Sequence, residues 1–242
     1  MRSVFSKVIF IFLLMILALA GRKASASIYE VTNLSSSGVT ICHVPLSAVT
    51  GTVYNSWTSG ATTINPNAGA NYSWWIYEPD LQIRSSYSVV QLLWPTDGQP
   101  ASNYRNWSKW GNASQQYSIS QSLFTTGQIC TYGTGNGTTL FSHTTTAAVF
   151  TNGSQTSPKM ITYVYNGSTG QHYVNDSAVA STLSGGAVTS SIFDVPKPFQ
   201  IGGEYIYFNG YIPSTLVFNG LALSAQQVRN IYTGYKRLGV RF

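Results

Sequence analysis

Charged side chains are scarce in this chain: Asp, Glu, Lys and Arg make up 8% of it, and only 7 of its 242 residues are acidic. Solubility therefore has to come from Ser, Thr, Asn and Gly. A neutral polar surface of that kind suits a partner recognised by hydrogen bonds and ring stacking. Strands and turns favour the same residue types, so it suits equally an extracellular sandwich with no particular ligand. Cysteine is nearly absent, with Cys42 and Cys130 the only two. The sequence has no Gly-x-Ser-x-Gly elbow, no His-Glu-x-x-His helix and no phosphate-binding loop, which removes the commonest hydrolase, metalloprotease and nucleotide-binding chemistries. It has no internal repeat, heptad or low-complexity linker to divide it. Beyond the first 26 residues no apolar run is long enough to span a bilayer.

Residues 1–26 carry a basic start (Arg2, Lys7), an apolar run from Val8 to Ala20 and the small-residue stretch Ala24-Ser25-Ala26. This order reads as a cleaved secretion signal, and the apolar run is short for a retained anchor. Four of the 13 Lys and Arg residues leave with it, so nine face seven acidic groups and the net charge falls from +6 to +2. The remaining cations are dispersed, apart from Arg229, Lys236, Arg237 and Arg241, which complement the dipole of a C-terminal helix. No nucleic-acid footprint results. The expectation is a secreted or cell-surface protein whose mature residues, 27–242, form one large domain without a transmembrane segment.

The C-terminal third is the most informative stretch. Lys159 to Asp176 alternates around Asn166, Gly167 and Gly170, the pattern of a β-hairpin. Short strands follow at Pro198–Glu204, Phe208–Ile212 and Leu216–Asn219, and a helix at about Ser224–Tyr232 opens with Ser224 as N-cap and Gln227 three residues on, a capping box. Tyr-Asn-Gly-Ser-Thr, Tyr-Val-Asn, Ile-Gly-Gly, Phe-x-Gly-x-Ile and Ala-Leu-Ser-x-x-Gln-Val occur in that order. Over residues 159–232 this resembles the laminin-G-like, concanavalin A-like lectin and glucanase superfamily. The resemblance implies an all-β, two-sheet antiparallel jelly-roll sandwich with one short C-terminal helix, and a binding scaffold. It also implies that calcium is possible. However, Pro213 and Ser214 stand where the family usually places acidic residues, and Asp176 stands where it usually has Gly, so the sequence does not support a calcium site and no cofactor is expected.

Upstream, Ile28–Val31 and Val39–Val44 form an expected opening hairpin. Tyr72–Tyr77 and Tyr87–Trp94 read as central buried strands, the second stopped by the turn Pro95-Thr-Asp-Gly98. In a secreted chain Cys42 and Cys130 are expected to form a disulfide. A metal site of Cys42, His43, Cys130 and His143 is the weaker reading, because adjacent strand residues face opposite ways and the spacings match no zinc pattern.

The segment Tyr104-Arg-Asn-Trp-Ser-Lys-Trp110-Gly-Asn112 is polar, irregular and ring-rich, and reads as an exposed loop. Tyr104, Trp107 and Trp110 would then stack on a sugar, while Arg105 and Asn106 bond its hydroxyls. In the competing reading Trp107 and Trp110 close over the core. Glu78 and Asp80 are the only acidic pair at i, i+2, the weak candidates for glycosidase carboxylates, and Pro79 between them points to a strand ending. His43, His143 and His172 lack a nearby acidic partner in sequence, and read as ordinary sandwich histidines. Eight Asn-x-Ser/Thr sequons (Asn33, Asn71, Asn106, Asn112, Asn136, Asn152, Asn166, Asn175) reflect the composition. The leading reading is a non-catalytic carbohydrate-binding or adhesion module whose partner is an extracellular glycan or glycoprotein. A glycan-cleaving hydrolase or lyase and a structural surface or coat subunit are the alternatives.

Overall fold

Strand Tyr87–Pro95 (β4) is buried along almost its whole length, which requires cover on both of its faces. Tyr87, Val89 and Leu93 point into one apolar layer, and Val90 and Leu92 into another. The computed structural model supplies both covers. It describes residues 27–35, 38–45, 74–76, 83–110, 117–195, 199–202, 208–237 and 240–242, and the first three strands as backbone alone.

Around β4 the first sheet gathers β1 (Ser27–Ser35), β2 (Gly38–Pro45), β9 (Lys159–Tyr165), β10 (Gly170–Val174), β11 (Ser177–Val179) and β14 (Gly210–Asn219), in the order β11-β10-β9-β4-β14-β1-β2. The second sheet runs β12-β8-β7-β6-β5-β13-β3, built from β3 (Trp74–Ile76), β5 (Tyr104–Trp110), β6 (Tyr117–Leu123), β7 (Ile129–Thr134), β8 (Leu140–Thr145), β12 (Ser181–Gly185) and β13 (Phe199–Ile201). Every pairing is antiparallel. Between the sheets lie Tyr87, Trp107, Ile119, Phe141, Ile161, Tyr163, Tyr165, Phe199 and Val217. The outer face of the first sheet is covered by helix α1 (Ala225–Arg237), whose Val228, Ile231 and Tyr235 pack on Val90, Met160, Leu216 and Phe218. The architecture is thus a two-sheet antiparallel sandwich with one C-terminal helix among the described residues.

Local chemistry fixes the ends of these elements. Ser224 Oγ accepts from Gln227 N (3.3 Å) and Gln227 Oε1 accepts from Ser224 N (2.8 Å), so the capping box forms, and α1 runs a turn beyond its expected end. The β9–β10 hairpin turns where Asn166 Oδ1 accepts from the Ser168 and Thr169 amides (2.9 and 2.7 Å), with Gly167 at φ 91°. The two short strands expected at Phe208–Ile212 and Leu216–Asn219 are one strand, β14, carrying a bulge between Tyr211 and Ser214.

Two expectations are corrected. Tyr104–Trp110 is no loop: it is β5, paired with β6 and β13 inside the second sheet. Cys130 is a free, buried thiol and forms no disulfide with Cys42. Cys42 lies on the edge strand of the first sheet, opposite Glu30, whereas Cys130 lies on β7 of the second sheet. Ile129 and Thr131 beside it point into the sandwich, so Cys130 points away from the first sheet.

Candidate functional site: the outer face of the second sheet

Strand β6 reads Tyr-Ser-Ile-Ser-Gln-Ser-Leu, and its alternation decides the character of both faces of the second sheet. Ile119 and Leu123 enter the core, with Gln121 between them, so Ser118, Ser120 and Ser122 face outward. The register extends this face across the neighbouring strands as two rows. One row is Arg105, Ser122, Cys130, Thr144 and Thr182, on β5, β6, β7, β8 and β12. The other is Gln200, Ser108, Ser120, Tyr132, Ser142 and Ser184, from β13 to β12, with Trp75 of β3 at the register position beside Gln200. Arg105 is the one formal charge in the two rows.

Side chains along the rows bond to one another. Ser142 Oγ and Ser184 Oγ are 2.8 Å apart, Thr144 Oγ1 donates to Cys130 Sγ at 3.1 Å, and Ser108 Oγ donates to Gln200 Oε1 at 3.4 Å. Ser118 Oγ and Ser120 Oγ are buried and bond to no protein group. Burial raises the pKa of the Cys130 thiol, against hydrogen bonds from Thr144, Tyr132 and Ser142 that lower it, so the thiol is held protonated and inert as a nucleophile. Burial and the nearby Cys130 likewise push the Tyr132 phenol up, opposed by the Arg105 guanidinium, so Tyr132 serves as a neutral ring with a hydroxyl. The face is closed over Ser108, Ser118 and Ser120, half-open at Arg105, Tyr132, Ser142 and Thr144, and open at Thr182 and Ser184. Its accessible part can offer hydroxyl donors and acceptors, one ring and one cation. It presents no acid–base pair among these residues.

The residues expected to form a binding loop are dispersed by the sheet. Of them, only Arg105 belongs to the outer rows. Trp107 is wholly buried and stacks on Phe199 with ring centroids 5.5 Å apart and planes at 20°, so it belongs to the core and offers no platform. Tyr104 packs edge-on to Phe208 (5.9 Å), and Trp110 ends β5, its side chain outside the described residues. Asn106 is buried inside the sandwich, where it belongs to a polar chain crossing the core. Gln91 Nε2 donates to Thr215 Oγ1 (3.0 Å) and to the Asn106 carbonyl (3.4 Å); Asn106 Nδ2 donates to Gln121 Oε1 (3.2 Å), and Gln121 Nε2 to Thr131 Oγ1 (3.0 Å). Thr131 Oγ1 meets His172 Nε2 (2.8 Å), and His172 Nδ1 meets Ser181 Oγ (2.9 Å). Burial, then the nearby His143, hold His172 down to about 3, so it is a neutral ring donating on one side and accepting on the other.

Glu78 and Asp80 lie outside the described residues. His143 points inward to Tyr163 (2.9 Å), away from Cys130, so those two do not share a ligand set, and no group of three or more potential metal ligands gathers among the described residues. Ser214 is buried under α1 and bonded to the Tyr235 hydroxyl (2.6 Å), so the position that the resemblance links with an acidic residue serves packing here. No helix among the described residues is long and apolar enough to cross a membrane. The signal that could have located this face from sequence is the triplet Ser118, Ser120, Ser122 at every second position, flanking Ile119 and ending at Leu123.

No protein-family profile matches the chain, and no curated protein matches it by sequence. Among solved structures, the binding domain of Paraclostridial Mosquitocidal Protein 1 superposes on 90% of this chain with a TM-score of 0.51 and 12% identity, and the match covers 49% of that chain. The shared fold is a two-sheet β-sandwich. The CBM40 module of Ruminococcus gnavus IT-sialidase, bound to α2,3-sialyllactose, matches 67% of this chain and 92% of its own at a TM-score of 0.49 and 10% identity. Domain 4 of the Geobacillus stearothermophilus arabinanase AbnA, in complex with arabinotriose, matches 63% of this chain and 68% of its own at 0.45 and 16%. At such identities the likeness is one of fold alone.

Proposed function

We propose that the chain is a secreted, non-catalytic carbohydrate-binding or adhesion domain, residues 27–242 after removal of 1–26, that holds an extracellular glycan on the outer face of its second sheet. The observation that carries this is the pair of cross-strand rows, in which hydroxyl, amide and phenol groups repeat at strand spacing with Arg105 as the one cation. Strands lie about 4.8 Å apart, so the rows present polar groups at regular intervals, and a neutral face of this kind matches many weak polar bonds rather than one ion. Tyr132 supplies the ring for an apolar sugar face, Ser142, Thr144, Thr182 and Ser184 the hydroxyl contacts, and Arg105 a stronger donor for a carboxylate or hydroxyl.

A glycan array probed with the mature chain tests this, and a blank array on well-folded protein removes the reading. Arg105→Ala with Tyr132→Ala is expected to lower affinity for the best glycan by about tenfold to a hundredfold, on the order of 2–3 kcal/mol, without loss of fold. Binding at the parent affinity would place the site elsewhere. Trp107→Ala serves as the contrast: it should cost about 3–5 kcal/mol of stability, because its indole fills the core. Binding is expected to persist in excess chelator, given Pro213 and Ser214 at the positions where acidic residues would stand.

A further inference from the structure

Lys109 is a lysine with almost no exposure, on the sandwich side of β5 opposite Ile119, and its side chain meets the Asp194 carboxylate. The side chains of the pair are 5% and 10% exposed. Asp194 is held in place by its own neighbours. Ile192 N donates to the Arg84 carbonyl and Phe193 N to the Thr134 carbonyl (both 2.8 Å), while Ile192 and Val195 are buried on either side of it. Two flexible polar side chains are thus brought into direct contact by a rigid frame, away from bulk water.

Such a pair has two chemical states. As ammonium and carboxylate, it bears the desolvation cost of two buried charges. Moving one proton from Nζ to the carboxylate removes both charges and leaves an amine lone pair against a carboxylic acid, which are the reactants of amide formation. Burial lowers the Lys109 pKa, the Arg84 charge lowers it further, and the Asp194 hydrogen bond and charge oppose them. The ion pair keeps Nζ beside the carboxyl group, and holding two reactants together is worth several orders of magnitude in effective concentration once they align.

We propose that Lys109 and Asp194 are a self-modification site and join as an intramolecular isopeptide bond. Lys109 Nζ attacks Asp194 Cγ and forms the C–N bond. The tetrahedral centre then breaks one Cγ–O bond, and the departing oxygen leaves as water with protons originating on Nζ. Ammonium plus carboxylate gives amide plus water, so atoms and charge balance without oxidant, reductant or co-reactant. The bond ties the second sheet at β5 to the segment entering β13, across 85 residues of chain. Pulling or unfolding then cannot separate β5 from the strands that follow it until β12. This inference is independent of the glycan reading and stands if that reading fails.

Intact mass spectrometry of the purified chain decides it, read against the mass expected from its own N-terminus. The expected mass is lower by one water, and proteolysis should release a branched peptide joining the Lys109 and Asp194 segments. Lys109→Arg keeps the cation but cannot be acylated in this way, so it should show the full mass, two linear peptides and a lower denaturation midpoint. Asp194→Asn should give the same branched product by losing ammonia instead of water. A parent chain of full mass that yields only linear peptides overturns the proposal and leaves Lys109–Asp194 an ion pair, and this outcome needs no variant to fold.

Discussion

The outer faces of the two sheets share one strand geometry and have opposite chemistry. On the first sheet the outward residues of β4, β9 and β14 include the apolar Val90, Leu92, Met160, Val164, Leu216 and Phe218, with Ser88, Thr162 and Ser214 set among them, and α1 lies on this face. On the second sheet the outward residues of β6, β7 and β8 are Ser118, Ser120, Ser122, Cys130, Tyr132, Thr134, Leu140, Ser142 and Thr144, polar apart from the thiol and Leu140. The first face gains its free energy from apolar burial, at about 25 cal/mol per Å². The second gains little that way, and Ser118 and Ser120 lack even hydrogen-bond partners. Apolar burial is thus concentrated on the outer side of the first sheet, while the outer side of the second carries the polar rows on which the proposed glycan site rests.

That division can be broken most severely from the helix side. Ile231→Asp puts an unpaired charge between α1 and the first sheet and should cost more than about 4 kcal/mol, read as loss of the cooperative unfolding transition. The second test addresses the layer between the sheets, where His143 and His172 lie. The folded pKa of His172 is about 3, below its ordinary 6.5, and that of His143 is also lowered by burial. Both rings protonate more readily in the unfolded chain. Their contribution is therefore full above pH 6.5 and is lost as pH falls toward 3, on the order of 4 kcal/mol for His172. Denaturation midpoints measured from pH 7 to pH 3 should fall accordingly, and His172→Gln should flatten the decline. The smallest effect is expected on the polar face. Ser118→Ala with Ser120→Ala should change stability by no more than about 0.5 kcal/mol, or raise it, since no protein hydrogen bond is lost. A clear loss would mean that these hydroxyls hold the fold after all.

Much of the fold was legible because its signals are local. The hairpin at Asn166–Gly167, the Ser224–Gln227 box and the apolar run of β4 each identify themselves within a few residues. The candidate site was not legible, and the bulges in β5 explain why. Irregularities between Arg105 and Trp107 and between Lys109 and Trp110 interrupt the alternation, so Tyr104 and Trp107, three residues apart, both turn toward the core. Read without those bulges, the segment has no strand period and looks like a loop. The cysteines misled for a different reason. An even count says nothing of which sheet each strand joins or which face its thiol takes, and here the strands belong to different sheets.

The strand order also sets a timetable. β5, β6, β7 and β8 are consecutive in sequence and adjacent in the second sheet, so each can pair with its predecessor as it is made. The first sheet cannot be completed this way. β4 waits for β9 and β14, and β1 joins only β2 until Ser27 meets Asn219. At typical synthesis rates the interval between the end of β4 and the start of β14 is on the order of 10 s. Throughout that time an almost wholly apolar strand lacks the partner that will cover one of its edges, and α1 has yet to be made. A chain of this topology therefore depends on protection during biogenesis far more at Tyr87–Pro95 than along the serine-bearing strands, which can pass the same interval wet.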